Sequence, residues 1–91
     1  MYLLITYDIS SDKRRNKIDK LLSSYGKRVN YSVFELDIKS HIYETLKVKL
    51  TELIGKHDSV RLYRLDKTAL ENAIELGQNR QDPFELDASY V

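Results

Sequence analysis

Residues 2–9 (YLLITYDI) form a nearly continuous apolar, β-branched and aromatic run that contains an acid, Asp8, next to its end. Such a run predicts a strand covered on both faces or set in the centre of a sheet. Ser10, Ser11 and Asp12 follow, each able to cap a helix, and Ile18, Leu21, Leu22 and Tyr25 then recur at the spacing of one helix face. Gly26 stands where it would close that helix. From residue 28 to residue 38 (RVNYSVFELDI) the pattern alternates, with Val29, Tyr31 and Val33 on one parity and Phe34, Leu36 and Ile38 on the other. The shift of parity predicts a strand in two halves, with a bulge or bend near Val33.

Ser40 opens a second helical pattern with Ile42, Leu46, Leu50 and Leu53 on one face and Gly55 at its end. Residues 59–65 (SVRLYRL) return to strand composition. Residues 69–77 read two ways: Ala, Leu and Glu favour helix, while the order of elements asks for a closing strand. The expectation is a short turn of helix followed by a strand at about residues 72–76. After a turn at Asp82-Pro83, apolar Phe84, Leu86, Ala88 and Tyr90 alternate with Glu85, Asp87 and Ser89, which predicts an extra strand over 84–91 outside the main repeat. The resulting βαββαβ order is an α+β, ferredoxin-like arrangement, a four-stranded antiparallel sheet with both helices on one face. The chain reads as one domain over 1–91, its core at about 1–77 and a C-terminal segment at about 82–91. Tyr2, Leu4, Tyr31 and Val33 are candidates for the helix-free sheet face or for the core, and a two-fold homodimer is the simplest cover for an open apolar face.

The 91 residues are 42% hydrophobic, which suits one compact domain and leaves little room for a deep enclosed cavity. Chemistry is therefore expected at an edge or between subunits. The lack of cysteine removes disulfides, thiol nucleophiles and thiolate metal sites, and His41 and His57, near opposite ends of the second helix, do not form a shared site. There is neither a basic leader with a long apolar run nor a stretch of ~18 apolar residues. The expectation is a soluble protein of a reducing cytoplasm, with no membrane partner. Net charge is only +1, but residues 1–31 hold seven Lys/Arg against three Asp, and residues 32–91 hold eight against eleven Asp/Glu. That split lets one face attract polyanions while the whole stays near neutral.

Asp8 is the most informative acid, at the carboxyl end of a buried strand just before a helix start that holds Arg14, Arg15 and Lys17. A lone strand-end Asp commonly caps a turn. One carboxylate is also a poor Mg²⁺ site, so a metal reading depends on a second Asp8 from a symmetry mate. Lys13, Arg14, Arg15 and Lys17, with Lys27 and Arg28, suit phosphate contacts, and no base-reading module accompanies them. Tyr7, Tyr31 and Phe34 are more often core or interface residues than stacking platforms. Ser32 has no neighbouring His or nucleophile elbow, which argues against a serine hydrolase.

Tyr7-Asp8-Ile9, the helix start Lys13-Arg14-Arg15-Asn16-Lys17, Tyr25-Gly26 and above all Arg28-Val29-Asn30-Tyr31-Ser32-Val33-Phe34-Glu35 resemble the CRISPR-associated Cas2 family. The resemblance extends through Arg61-Leu62-Tyr63-Arg64-Leu65 to Gly77-Gln78. Two departures are Asn30, where the family is associated with Gln, and Lys17, where Arg is common. The resemblance implies a ferredoxin-like homodimer whose C-terminal strand adds to the other protomer's sheet. It also implies a Mg²⁺ site, with Mn²⁺ as substitute, between the two copies of Asp8, and a role at the spacer-acquisition stage of CRISPR immunity. Asp8 is then the catalytic residue and metal ligand of a phosphodiester nuclease cutting RNA or DNA. Tyr7, Arg14, Arg15, Lys17, Arg28, Ser32 and Phe34 are the expected nucleic-acid-binding residues. The rival implication is a non-catalytic adaptor that holds duplex DNA and bridges the CRISPR integrase; a toxin-like RNA-cleaving ferredoxin fold shares the architecture.

Overall fold

The structure, a computed structural model, describes residues 1–77 and 82–85. Its elements are β1 (Tyr2–Asp8), α1 (Asp12–Ser23), β2 (Gly26–Asn30), β3 (Val33–Asp37), α2 (Ser40–Leu53), β4 (Ser59–Leu65) and α3 (Lys67–Asn72). The four strands form one antiparallel sheet in the order β2-β3-β1-β4. This is the expected α+β, ferredoxin-like arrangement, with the strand that opens the chain in a central position.

Alternation along β1 decides what faces where. Leu3, Ile5 and Tyr7 are buried, while Tyr2, Leu4, Thr6 and Asp8 lie on the opposite face. On the covered side the strand residues join Ile18 and Leu22 of α1 and Leu46 and Leu50 of α2 in one core with Phe34 and Leu36. Ser11 caps α1 by accepting a hydrogen bond from the Arg14 N–H at 3.3 Å, as the Ser/Asp cluster predicts.

Residues 28–38 are not one strand with a bulge near Val33. They belong to a hairpin, β2 and β3, turned at Tyr31 and Ser32; the irregularity in register falls earlier, between Arg28 and Asn30. The parity change is the turn itself. Gly26 does not close α1, whose C-cap is Ser24, but opens β2, where a Cβ would collide with the Glu35 carbonyl oxygen and the Leu36 side chain. Close strand approach, not helix termination, requires glycine there.

The strand expected at 72–76 is also absent. Asp66 caps α3 by accepting from the Ala69 N–H at 2.8 Å, and the residues after Asn72 pair with no strand among the described residues. The hairpin already supplies the fourth strand. Residues 82–85 form a turn in which the Glu85 N–H donates to the Asp82 carbonyl at 3.1 Å, so the extra strand does not begin at Phe84. The Phe84 N–H donates to Glu35 Oε1 at 2.8 Å and its ring meets Tyr2 edge-on at 5.8 Å, covering part of the open face from within the chain. The remainder of that expected strand, 86–91, lies outside the described residues.

Candidate functional site

Asp8 ends β1 on the open face, directly opposite Ser59 of β4. It is exposed, and with Thr6, Tyr7, Ser59 and Arg61 it lines a shallow cavity of about 300 Å³. No hydrogen bond or ion pair holds its carboxylate among the described residues. Its neighbours in the same region differ: Asp12 pairs with Arg15 at 2.7 Å, Asp19 with Arg28 at 2.6 Å and Asp58 with Arg14 at 2.7 Å.

Asp58 is the most deeply buried of these, and no sequence motif singles it out. Its side chain is fully buried and accepts from Arg14 Nε and the Gly55 N–H, each at 2.7 Å, and from the Ser10 N–H at 3.3 Å. The clamp ties the loop after β1 and the start of α1 to the loop before β4, setting Asp8 and Ser59 side by side. The Arg14 guanidinium, followed by the Gly55 N–H, lowers the Asp58 pKa from its ordinary 3.8 to about 2. Since the folded chain releases this proton more readily than the unfolded one, the ionised clamp adds stability above about pH 4 and loses it as pH falls through about 2. Acid unfolding of Asp58→Asn should therefore lack part of the stability loss seen for the parent between those limits. An identical pH dependence would show that Asp58 does not carry it.

The expected nucleic-acid set divides. Tyr7 is only 7% exposed: its hydroxyl donates to Asp19 Oδ1, with the Tyr31 carbonyl oxygen 3.3 Å away, and its ring stacks on Phe34 at 6.3 Å. Phe34 is at 0% exposure. Both rings occupy helix-facing positions and build the core. Ser32 is half-buried in the turn, and its carbonyl accepts the Tyr7 N–H at 3.2 Å. Arg28 lies over the Phe34 ring at 5.4 Å while pairing with Asp19, and Arg15 also donates to the Ile9 carbonyl at 2.9 Å. Lys17 is exposed on α1. Tyr31, read as core or interface, is 87% exposed at the hairpin turn.

Among the described residues no group of three or more His, Cys, Asp or Glu could hold a metal ion. In the cavity at the end of β1 Asp8 is the one carboxylate among the described residues, and its hard oxygens would suit Mg²⁺ or Mn²⁺ as one ligand among waters. His41 and His57 are exposed and take no part.

The family model described as CRISPR associated protein Cas2 matches residues 1–73, every element from β1 to α3. The chain belongs to the Cas2 family. A Chloroflexus aurantiacus protein named CRISPR-associated endoribonuclease Cas2 1 is 47% identical over 79 residues, covering 85% of both chains. The crystal structure of Streptococcus pyogenes Cas2 at pH 6.5 superposes with a TM-score of 0.75 at 36% identity, covering 85% of this chain and all of that one. A chain in a solved partial Cas6-RT-Cas1–Cas2 complex superposes with a TM-score of 0.74 at 31% identity, over 82% of this chain and 89% of that one. The Cas2 match thus bears out the family read from the Tyr31-Ser32-Val33-Phe34-Glu35 string, and this is a CRISPR-associated protein. No helix among the described residues is long and apolar enough to cross a membrane.

Proposed function

We propose that the protein is a metal-dependent phosphodiester nuclease of CRISPR spacer acquisition, acting in the cytoplasm as a two-fold homodimer with Asp8 of each copy as ligand to a shared Mg²⁺ or Mn²⁺. The observation that carries the reading is the state of Asp8: exposed at a cavity, and free of any ion pair among the described residues, beside three aspartates that each hold an arginine. When bound, the metal supplies Lewis acidity toward a phosphate and an activated water. The chain's part is to present the carboxylate at a fixed strand end and to bind the strand through Lys17 and the exposed portions of Arg14, Arg15 and Arg28. The name of the Chloroflexus relative supports RNA as substrate. Cleavage of end-labelled RNA and duplex DNA should require Mg²⁺ or Mn²⁺ and stop in EDTA; cleavage that persists in EDTA would remove the metal from the reading.

Sedimentation at micromolar concentration should report twice the 10.7 kDa chain mass. A stable monomer would leave one carboxylate per site and sink the shared-metal arrangement. A second reading, the adaptor that binds duplex DNA and bridges the CRISPR integrase, draws support from the likeness to a chain of the Cas1–Cas2 complex. In that reading the same basic residues hold duplex backbone and Asp8 is dispensable.

A further inference from the structure

Arg14, Arg15 and Arg28 each meet a carboxylate of their own chain. Arg61 does not. Among the described residues its side chain makes one hydrogen bond, from Nη1 to the hydroxyl of Tyr63 at 3.3 Å, and that acceptor is neutral. The antiparallel register of β1 and β4 sets Arg61 opposite Thr6 and Ser59 opposite Asp8, all on the open sheet face. Arg61 and Asp8 are therefore two walls of the same 300 Å³ cavity. A lone exposed carboxylate repels a phosphodiester. A guanidinium beside it, with its charge uncancelled and most of its N–H donors available, supplies the compensating attraction and a forked contact that fits phosphate oxygens.

We infer that Arg61 binds a backbone phosphate of a nucleic-acid strand at the Asp8 cavity. A phosphate at Arg14, Arg15 or Arg28 has to compete with a carboxylate already in place; at Arg61 no carboxylate of the described residues holds the guanidinium. The inference rests on the nuclease reading only for what Asp8 then does to the strand, because the contact itself holds for a strand that is bound and left uncut.

The test is fluorescence anisotropy of an end-labelled single-stranded RNA and an end-labelled duplex DNA on the full-length protein, in EDTA, over a salt series. Arg61→Gln should weaken binding roughly tenfold near 0.1 M salt and lower the slope of log affinity against log salt by about one. Arg61→Lys should restore the slope and only part of the affinity, because ammonium keeps the charge without the fork. The loss should persist in an Asp8→Asn background. That arm separates phosphate binding from a role in which Arg61 merely balances the Asp8 charge, since the latter vanishes once Asp8 is neutral. An unchanged slope in Arg61→Gln, or no further loss in the Asp8→Asn background, overturns the inference. So does a fall of Arg61→Gln to monomer mass in sedimentation, which assigns the residue to a contact between copies. A parent protein that binds through Arg61 yet cuts neither probe in Mg²⁺ defeats the nuclease reading and leaves the phosphate site standing.

Discussion

Asp8→Asn should reduce metal-dependent cleavage by at least about a hundredfold while leaving fold and dimer in place. The side chain is exposed and bonds to no other described residue, so a neutral replacement of nearly the same shape removes no packing and no internal hydrogen bond. What it removes is the anionic oxygen that a hard divalent cation prefers over a carboxamide. In a two-fold dimer the substitution acts twice at one site, because both copies lose their charge together. Single-turnover cleavage of labelled RNA measures the loss, with sedimentation and thermal unfolding of the same preparation as controls. Full cleavage by a highly purified Asp8→Asn protein would end the catalytic assignment. An integration assay in which that variant supports the integrase normally would then put the adaptor reading first.

Phe34→Ala is expected to cost about 3–5 kcal/mol in unfolding free energy, against a total of about 5–15 kcal/mol for a small domain. The ring is fully buried, stacks on Tyr7 at 6.3 Å and carries the Arg28 guanidinium at 5.4 Å, so truncation leaves a cavity in the centre of the only core the described residues build. Phe34→Leu, which refills most of the volume, should cost much less. Urea unfolding gives both values. Nucleic-acid binding by Phe34→Ala, measured where the variant remains folded, should stay near the parent value, because a core ring contributes to the ligand only through the fold. Weaker binding with an unchanged unfolding midpoint would mean that the ring touches the strand and that its buried place is wrong.

Where the structure departs from the local pattern, the departures share a cause. Tyr7 and Phe34 sit in the most specific strings of the sequence, and nothing local distinguishes an aromatic that stacks on a base from one that fills a core. Only the pleat of β1 and β3 against α1 and α2 turns both rings inward. A tight turn and a bulge produce the same change of parity along residues 28–38, and only the partner strand distinguishes them. No closing strand is needed at 72–76, because β4 already completes the βαββαβ order beside β1.

Elements governed by neighbouring residues were legible from the chain alone. The apolar run of β1, the Ser11 cap, the face of α2 and the full extent of β4 follow from periodicity and capping within a few residues, as does the string that marks the family. Which charges are free was decided elsewhere. Arg14 finds Asp58 across 44 positions, and Arg61 comes beside Asp8 only when β4 pairs with β1. A basic helix start looks like a phosphate site until the fold supplies its counter-charges. Side-chain charge is local, but its cancellation is a contact between distant segments, and no pattern along the sequence records it.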